Sequence, residues 1–130
     1  MALLAASLIL TQCSPKSRDE HIQEGLQSME RENYPQAENS FKRAIEADPG
    51  NAEAYYHLGS IFNARQKYTQ ALGQFDIALR LDPTHLDAHF SRGYAYEQIG
   101  QPEKAEKEFA TYRRLKRMVN HLQENRRQGG

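Results

Sequence analysis

A spacing of 34 residues recurs along most of this 130-residue chain and constrains its fold more than any other feature of the sequence. Glycine, alanine, phenylalanine and proline return at fixed positions within the period. The recurring residues are Gly25, Gly59 and Gly93; Ala37, Ala71 and Ala105; Phe41, Phe75 and Phe109; and Pro49 and Pro83. Because periods of about 20–50 residues are typical of repeat arrays, the spacing predicts three similar units, each packed against its neighbours.

Apolar positions inside each unit follow helical spacing. In the middle unit the two faces are Tyr55, Leu58, Gly59 and Phe62, and then Ala71, Phe75 and Ala78. A glycine inside a helix costs about 1 kcal/mol relative to alanine. Gly59 therefore predicts that a neighbouring helix packs against bare backbone. Asp48-Pro49 and Asp82-Pro83 should end the second helices, because the residue before proline avoids the α region.

This order of residues resembles the tetratricopeptide repeat (TPR) family over residues 18–117. The resemblance implies an all-α fold, a right-handed TPR superhelix of three helix-turn-helix repeats with an extended C-terminal capping helix. The first helices of such a superhelix line a concave groove. We expect TPR 1 at 18–51, TPR 2 at 52–85, TPR 3 at 86–119, and a continued helix with a Gly-Gly tail at 120–130.

The last unit and the first unit depart from the pattern. Lys116-Arg117 replaces the Asp-Pro pair, so we expect the final helix to continue to about Asn125. A terminal helix usually caps the open end of a solenoid. The predicted strip that covers the last repeat is Leu115, Met118, Val119 and Leu122. Glu24 and Ser28 replace apolar residues of the pattern, so unit 1 should be the least stable.

Charge is balanced overall but unevenly placed. The chain has 17 basic and 17 acidic residues, which gives no net field to attract nucleic acid. Residues 1–110 carry a net charge of −5 and residues 111–130 a net charge of +5. Two interpretations of the basic tail stay open: a solvated helix end that complements the helix dipole, or a docking site for acidic lipid or protein.

The N-terminus has a short apolar run, "MALLAASLIL", closely followed by Cys13. Ten residues are too few to span a bilayer of about 30 Å but fit the apolar region of a signal peptide. The arrangement resembles a bacterial lipoprotein signal at 1–12 with a tether at 13–17, although Gln12 stands where that signal has a small residue. The resemblance implies lipidation of Cys13, and Ser14 implies an outer-membrane lipoprotein facing the periplasm. A plain signal peptide and an incidental apolar N-terminus remain alternatives.

Motifs of catalysis are absent from the sequence. It contains no glycine-rich phosphate loop, no Cys/His set with metal spacing and no nucleophile elbow. His85 and His89 are four residues apart, but no third ligand accompanies them. We therefore predict no enzyme activity, no cofactor and no metal site.

The TPR resemblance also indicates which residues face the groove. The predicted groove residues are Tyr56, His57, Ser60, Asn63, Phe90, Ser91, Tyr94 and Glu97, with Asp19, Ile22, Gln23, Leu26, Met29, Glu53 and Asp87 at related positions. Tyr56 and Phe90 fit packing between repeats equally well. TPR domains that clamp an acidic C-terminus carry Lys, Arg and Asn at five positions. In this chain those five positions are occupied by Ile22, Leu26, His57, Asp87 and Ser91. The groove is therefore predicted to bind an apolar or basic peptide or helix as its ligand.

Together these features predict a non-catalytic scaffold for protein–protein interaction. We expect a membrane-tethered TPR lipoprotein adaptor in envelope assembly, anchored through its N-terminal lipid. The alternative is a soluble, cytoplasmic co-chaperone or regulatory adaptor without lipid. Three repeats are close to the minimum for independent stability, so a second copy of the chain is also a candidate partner.

Overall fold

A computed structural model describes residues 15–130, which form six α-helices and contain no β-strand within that range. The helices are α1 (Arg18–Glu30), α2 (Tyr34–Ala47), α3 (Ala52–Ala64), α4 (Tyr68–Leu81), α5 (Leu86–Gln98) and α6 (Pro102–Gln128). They pack as three pairs, and each second helix also contacts the first helix of the next pair. The predicted all-α array of three helix-turn-helix units is confirmed. The proposed signal segment and Cys13 lie outside the described residues.

The helix ends follow the signals in the sequence. Ser17 and Glu20 form a reciprocal capping box at the start of α1. The Asn51 side chain accepts a hydrogen bond from the first turn of α3. Asp48 and Asp82 end α2 and α4, as the Asp-Pro pairs predicted.

Each unit contains one close contact between a glycine and a phenylalanine ring. The pairs are Gly25 with Phe41, Gly59 with Phe75, and Gly93 with Phe109. A Cβ added at Gly59 would lie 2.6 Å from the nearest ring carbon of Phe75, which is far inside van der Waals contact. We expected a neighbouring helix to pack against the bare backbone at Gly59. The structure agrees, and the group that makes the contact is the Phe75 ring of α4, the second helix of the same unit.

The core is deepest between units 1 and 2 and becomes shallower toward the C-terminus. Its central cluster is Ala37, Phe41, Leu58, Ile61, Phe62, Ala71 and Phe75. Phe41 and Phe75 are fully buried, whereas the equivalent Phe109 is only partly buried. The third unit has the same glycine–phenylalanine contact as the others, but no further helix of residues 15–130 packs on its far side.

The last helix is long, as predicted, but its apolar strip does not cover the last repeat. α6 has 27 residues and ends at Gln128, whereas its partner α5 has 13. The second half of α6 therefore extends past α5 and leaves Met118 56% exposed and Leu122 58% exposed. The prediction that this strip covers the last repeat is wrong, because α5 is too short to reach it.

Candidate functional site

The free sides of the three first helices form one surface, which we call the first-helix face. Its exposed side chains are Asp19, Gln23, Glu53, Asp87, Phe90, Tyr94 and Glu97. Four of these are carboxylates, and the groove positions of the three units contain no Lys or Arg. The face is thus acidic and carries two exposed aromatic rings, Phe90 and Tyr94, both on α5. Such a surface complements a segment that is basic or apolar.

Tyr56 lies at the junction between units 2 and 3. Its ring centroid is 4.7 Å from that of His85 and 6.3 Å from that of Phe75. Burial raises the pKa of the Tyr56 hydroxyl above its ordinary value. Of the two roles that the sequence left open for Tyr56, packing between repeats is the one that these contacts describe.

His57 is also held inside the array. Its ring stacks on Phe41 at 5.0 Å, and its Nε2 lies 2.9 Å from a carboxylate oxygen of Glu53. The other Glu53 oxygen is 3.0 Å from Nε2 of His85. Burial lowers the pKa of His57, although the Glu53 carboxylate opposes that effect. Glu53 therefore bridges two histidines across the junction, and His57 has little surface left for a partner.

Two smaller groove side chains make hydrogen bonds within the array. The Ser60 hydroxyl donates to the Tyr56 carbonyl oxygen of its own helix at 2.9 Å. Asn63 Nδ2 donates to the backbone carbonyl oxygen of Ser91 at 3.1 Å, which joins α3 to α5. Both side chains are half-buried, and the Asn63 bond positions the two first helices relative to each other.

Three of the four equivalent residues of unit 3 are exposed, and Ser91 is half-buried. Phe90 is 50% exposed, and its ring neighbours, Phe109 at 5.6 Å and Tyr112 at 5.3 Å, both belong to unit 3. Tyr94 touches Tyr68 at 6.1 Å but is otherwise open, and Glu97 is exposed. The structure thus divides the eight predicted groove residues into a packed group around α3 and an open group on α5. Their role in binding stays a prediction.

The two histidines at helical spacing point to different partners. His85 caps α5 by accepting a hydrogen bond from Ala88 N–H through Nδ1, so its Nε2 donates to Glu53. His89 lies between Glu108, 2.7 Å from Nδ1, and the Pro83 carbonyl oxygen, 2.9 Å from Nε2. Within residues 15–130 no three His, Cys, Asp or Glu residues come together as a metal site. None of the helices in that range is long and apolar enough to cross a membrane.

A polar cluster between α4, α5 and α6 was not anticipated from the sequence. Arg92 donates to Asp76 at 2.9 Å and to Glu108 at 2.7 Å, and Glu108 also contacts His89. Arg92 occupies the register position of the buried Leu58, so the substitution of a charge for an apolar residue was the available signal. The cluster replaces apolar packing with ion pairs in the last unit.

Comparison with known families agrees with this architecture. A family model described as tetratricopeptide repeat matches residues 23–85 and 63–117, which together span most of the chain. The chain belongs to the tetratricopeptide repeat family. The TPR fold is a scaffold for protein interaction, and the chain has that fold. No curated protein sequence matches the chain significantly.

Solved TPR structures superpose well on the chain. The second TPR of Spaghetti (RPAP3), bound to the HSP90 peptide SRMEEVD, is 25% identical with a TM-score of 0.75, over 77% of this chain and 93% of that one. The TPR2B domain of yeast Sti1 in a pHsp70 complex is 18% identical with a TM-score of 0.77, over 85% and 88%. MamA is 23% identical with a TM-score of 0.76, over 81% and 61%.

Proposed function

We propose that this TPR chain is a non-catalytic adaptor that binds an apolar or basic segment of a partner protein along the first-helix face. The observation that carries the proposal is the charge of that face. Exposed Asp19, Glu53, Asp87 and Glu97 lie on the three first helices, one of which also carries the open Tyr94 ring, and the groove positions supply no basic side chain. A peptide or helix with Lys or Arg beside apolar residues complements both features.

The same charges argue against an acidic C-terminal ligand. Three of the last four residues of the peptide in the RPAP3 structure, SRMEEVD, are acidic. Asp87 and Ser91 stand at two of the positions that are basic in TPR domains that clamp such peptides. An acidic peptide would therefore meet like charge at Asp87, and like-charge contacts disfavour binding.

Crosslinking in the native cell tests the position of the site. A photo-reactive residue at Gln23 or Asp87, both exposed on the first-helix face, should give a discrete adduct with a partner. The matched control is the same residue at Arg80, which is exposed on α4. Adducts from Arg80 alone would contradict the proposal, because they would place the partner on the second helices.

Neutralisation tests the chemistry of the site. Asp87→Asn keeps the shape and removes one exposed carboxylate, so it should reduce the Gln23 adduct if the partner segment is basic. Glu46→Gln on α2 removes an equally exposed carboxylate outside the face and is the control. Equal adduct yields in the two variants would show that the charge of the face is not what recognises the partner.

We further propose that the chain is a lipoprotein adaptor of envelope assembly, anchored through Cys13 on the periplasmic side of the outer membrane. Support comes from the short apolar run and the cysteine that follows it. Stable anchoring needs more than one acyl chain, which a fully processed lipoprotein cysteine carries. Metabolic labelling with a palmitate analogue should mark the protein, and Cys13→Ala should abolish the label.

A soluble co-chaperone or regulatory adaptor is the second candidate. It is favoured by the structural similarity to TPR domains that were solved with HSP90 and Hsp70 peptides. An unlabelled chain that remains in the soluble fraction would select this candidate. The first-helix face would then bind its partner without a membrane anchor.

A further inference from the structure

The C-terminal end of the array exposes a continuous apolar surface, which we call the end strip. It consists of Phe90, Tyr112, Leu115, Met118, Val119 and Leu122. The Phe90 ring contacts Tyr112 at 5.3 Å, and from Tyr112 the strip continues along one side of α6 at spacings of three and four residues. Apolar surface of this kind marks interaction sites in soluble proteins.

The fold itself shows what covers this position elsewhere. Tyr56 precedes Phe90 by one repeat, and it is covered by the start of α5, whose N-cap residue His85 has its ring 4.7 Å away. In unit 1, Ile22, Leu26 and Met29 pack against the core cluster to which α3 contributes. At both inner junctions the cover is the first helix of the next unit. At Phe90 no such cover is present in residues 15–130, and an α-helix is what would supply it.

Charge distinguishes the end strip from the inner junctions. Buried Leu79 and half-buried Leu72 of unit 2 correspond to Arg113 and Glu106 in unit 3, which form an ion pair at 2.5 Å. Within residues 111–130 six basic residues stand against Glu124 alone, and at about 100° per residue Arg114 and Lys116 lie on the two margins of the strip, whereas Arg113 and Arg117 lie on the opposite side of α6. The surface is thus not a plain copy of an inner junction. A helix that covers it must bring acidic residues to its margins.

The same charges disfavour a second copy of α6 as the cover. Pairing two of these helices would bring together two segments that each carry a net charge of +5. Repulsion between like charges at short range opposes that pairing. An acidic partner would be attracted by the basic residues of α6, whereas a second copy would be repelled by them.

We propose that the end strip binds an acidic amphipathic helix of a partner protein, in the place that α5 takes on unit 2. Its contact face is apolar, with a small residue at the closest approach, as fully buried Ala54 and Ala88 are on α3 and α5. Its margins carry Glu or Asp opposite Arg114 and Lys116. The strip meets the first-helix face at Phe90, but along α6 its charge is opposite to that of the face, so the chain can join two partners.

Two synthetic peptides test the proposal against the full chain. Each is about 18 residues long, enough for measurable helicity, with the same Leu and Ala face and either Glu or Lys at the margins. Fluorescence anisotropy should show at least tenfold tighter binding of the Glu peptide. Met118→Gln/Leu122→Gln should weaken its binding about tenfold, because both side chains lose apolar contact. Leu81→Gln, which changes a 44% exposed apolar side chain of α4, is the matched control and should leave binding unchanged.

Four results would overturn the proposal. Equal binding of the two peptides would remove the role of charge, and no binding of either would remove the site. A dimer of the chain that is lost in Met118→Gln/Leu122→Gln would make a second copy the occupant. Binding to phosphatidylglycerol vesicles that is lost in the same variant, without peptide binding, would make the occupant a membrane. Each result leaves crosslinking from Gln23 unaffected, so the two proposals fail separately.

Discussion

The junction between units 2 and 3 and the open end of unit 3 contain the same residues of the repeat in different environments. Tyr56 and Phe90 lie 34 residues apart at one register position. Tyr56 is packed against His85, the N-cap residue of α5, whereas Phe90 is 50% exposed. Register therefore fixes where a side chain lies within its unit. The presence or absence of a following helix decides whether that side chain is core or surface.

The largest expected difference between the two regions is in the cost of deleting a phenylalanine ring. Phe75→Ala removes a fully buried ring and should lower the free energy of unfolding by about 4 kcal/mol. Phe109→Ala removes a partly buried ring and should cost about 2 kcal/mol, because less contact is lost. Urea denaturation of both variants measures the difference. Equal losses would show that the two environments are energetically the same.

A smaller contrast is expected at the glycines beside those rings. A Cβ at Gly59 would lie 2.6 Å from Phe75, and one at Gly93 would lie 2.7 Å from Phe109. Gly59→Ala should cost about 2 kcal/mol, because the buried ring cannot move away. Gly93→Ala should cost about 0.5 kcal/mol or less, because Phe109 can shift toward solvent and alanine favours the helix. Thermal unfolding checks the order, and a larger loss at Gly93 would contradict it.

The free energy of unfolding should also depend on pH through His57 at the inner junction, since the equivalent position of unit 3 holds Ser91. Burial lowers the pKa of His57, so the unfolded chain binds a proton more readily than the folded one near pH 6. This contribution makes stability fall as the pH drops below about 6.5, the ordinary histidine pKa. The groups that face His57 are Glu53, His85 and Asp87.

Comparison of two histidine variants isolates that effect. His57→Gln should flatten the fall in the free energy of unfolding between neutral and mildly acidic pH. His121→Gln, at an exposed position of α6, should leave the profile unchanged. A profile that is the same in both variants and the parent chain would mean that His57 does not contribute.

The smallest effect is expected at the end strip. Met118→Gln/Leu122→Gln replaces side chains that are 56% and 58% exposed, so the free energy of unfolding should change by less than about 0.5 kcal/mol. Circular dichroism during thermal unfolding gives the measurement. A loss above about 1 kcal/mol would indicate that the strip already covers part of the array, as the sequence first suggested.

The repeat architecture could be predicted from the sequence, because the glycine and phenylalanine positions recur at one spacing. In the structure each glycine–phenylalanine pair makes the same contact. Gly59 and Phe75 show this directly. Asp48 and Asp82 also end their helices where proline predicts. Such features are local to one unit, so each unit's own residues determine them.

The features that were missed depend on contacts between units. His57 was expected to face the groove, but its stacking on Phe41 and its contact with Glu53 leave it mostly buried. Its orientation depends on where α2 and α5 lie, which no spacing within α3 specifies. The exposed strip on α6 was missed for a similar reason. An apolar spacing of three and four residues indicates a face but not whether a neighbour is long enough to cover it.

The unequal lengths of α5 and α6 have a consequence for hydrogen exchange. α6 has 27 residues, and about half of them extend past the 13-residue α5. Helices of about a dozen residues are only marginally stable in water without tertiary support. Amide protection should therefore decline along one continuous helix, from the turns beside Ala105 to those beside Asn125. A ligand that binds the distal half of α6 should slow amide hydrogen exchange there before it changes exchange in the three packed units.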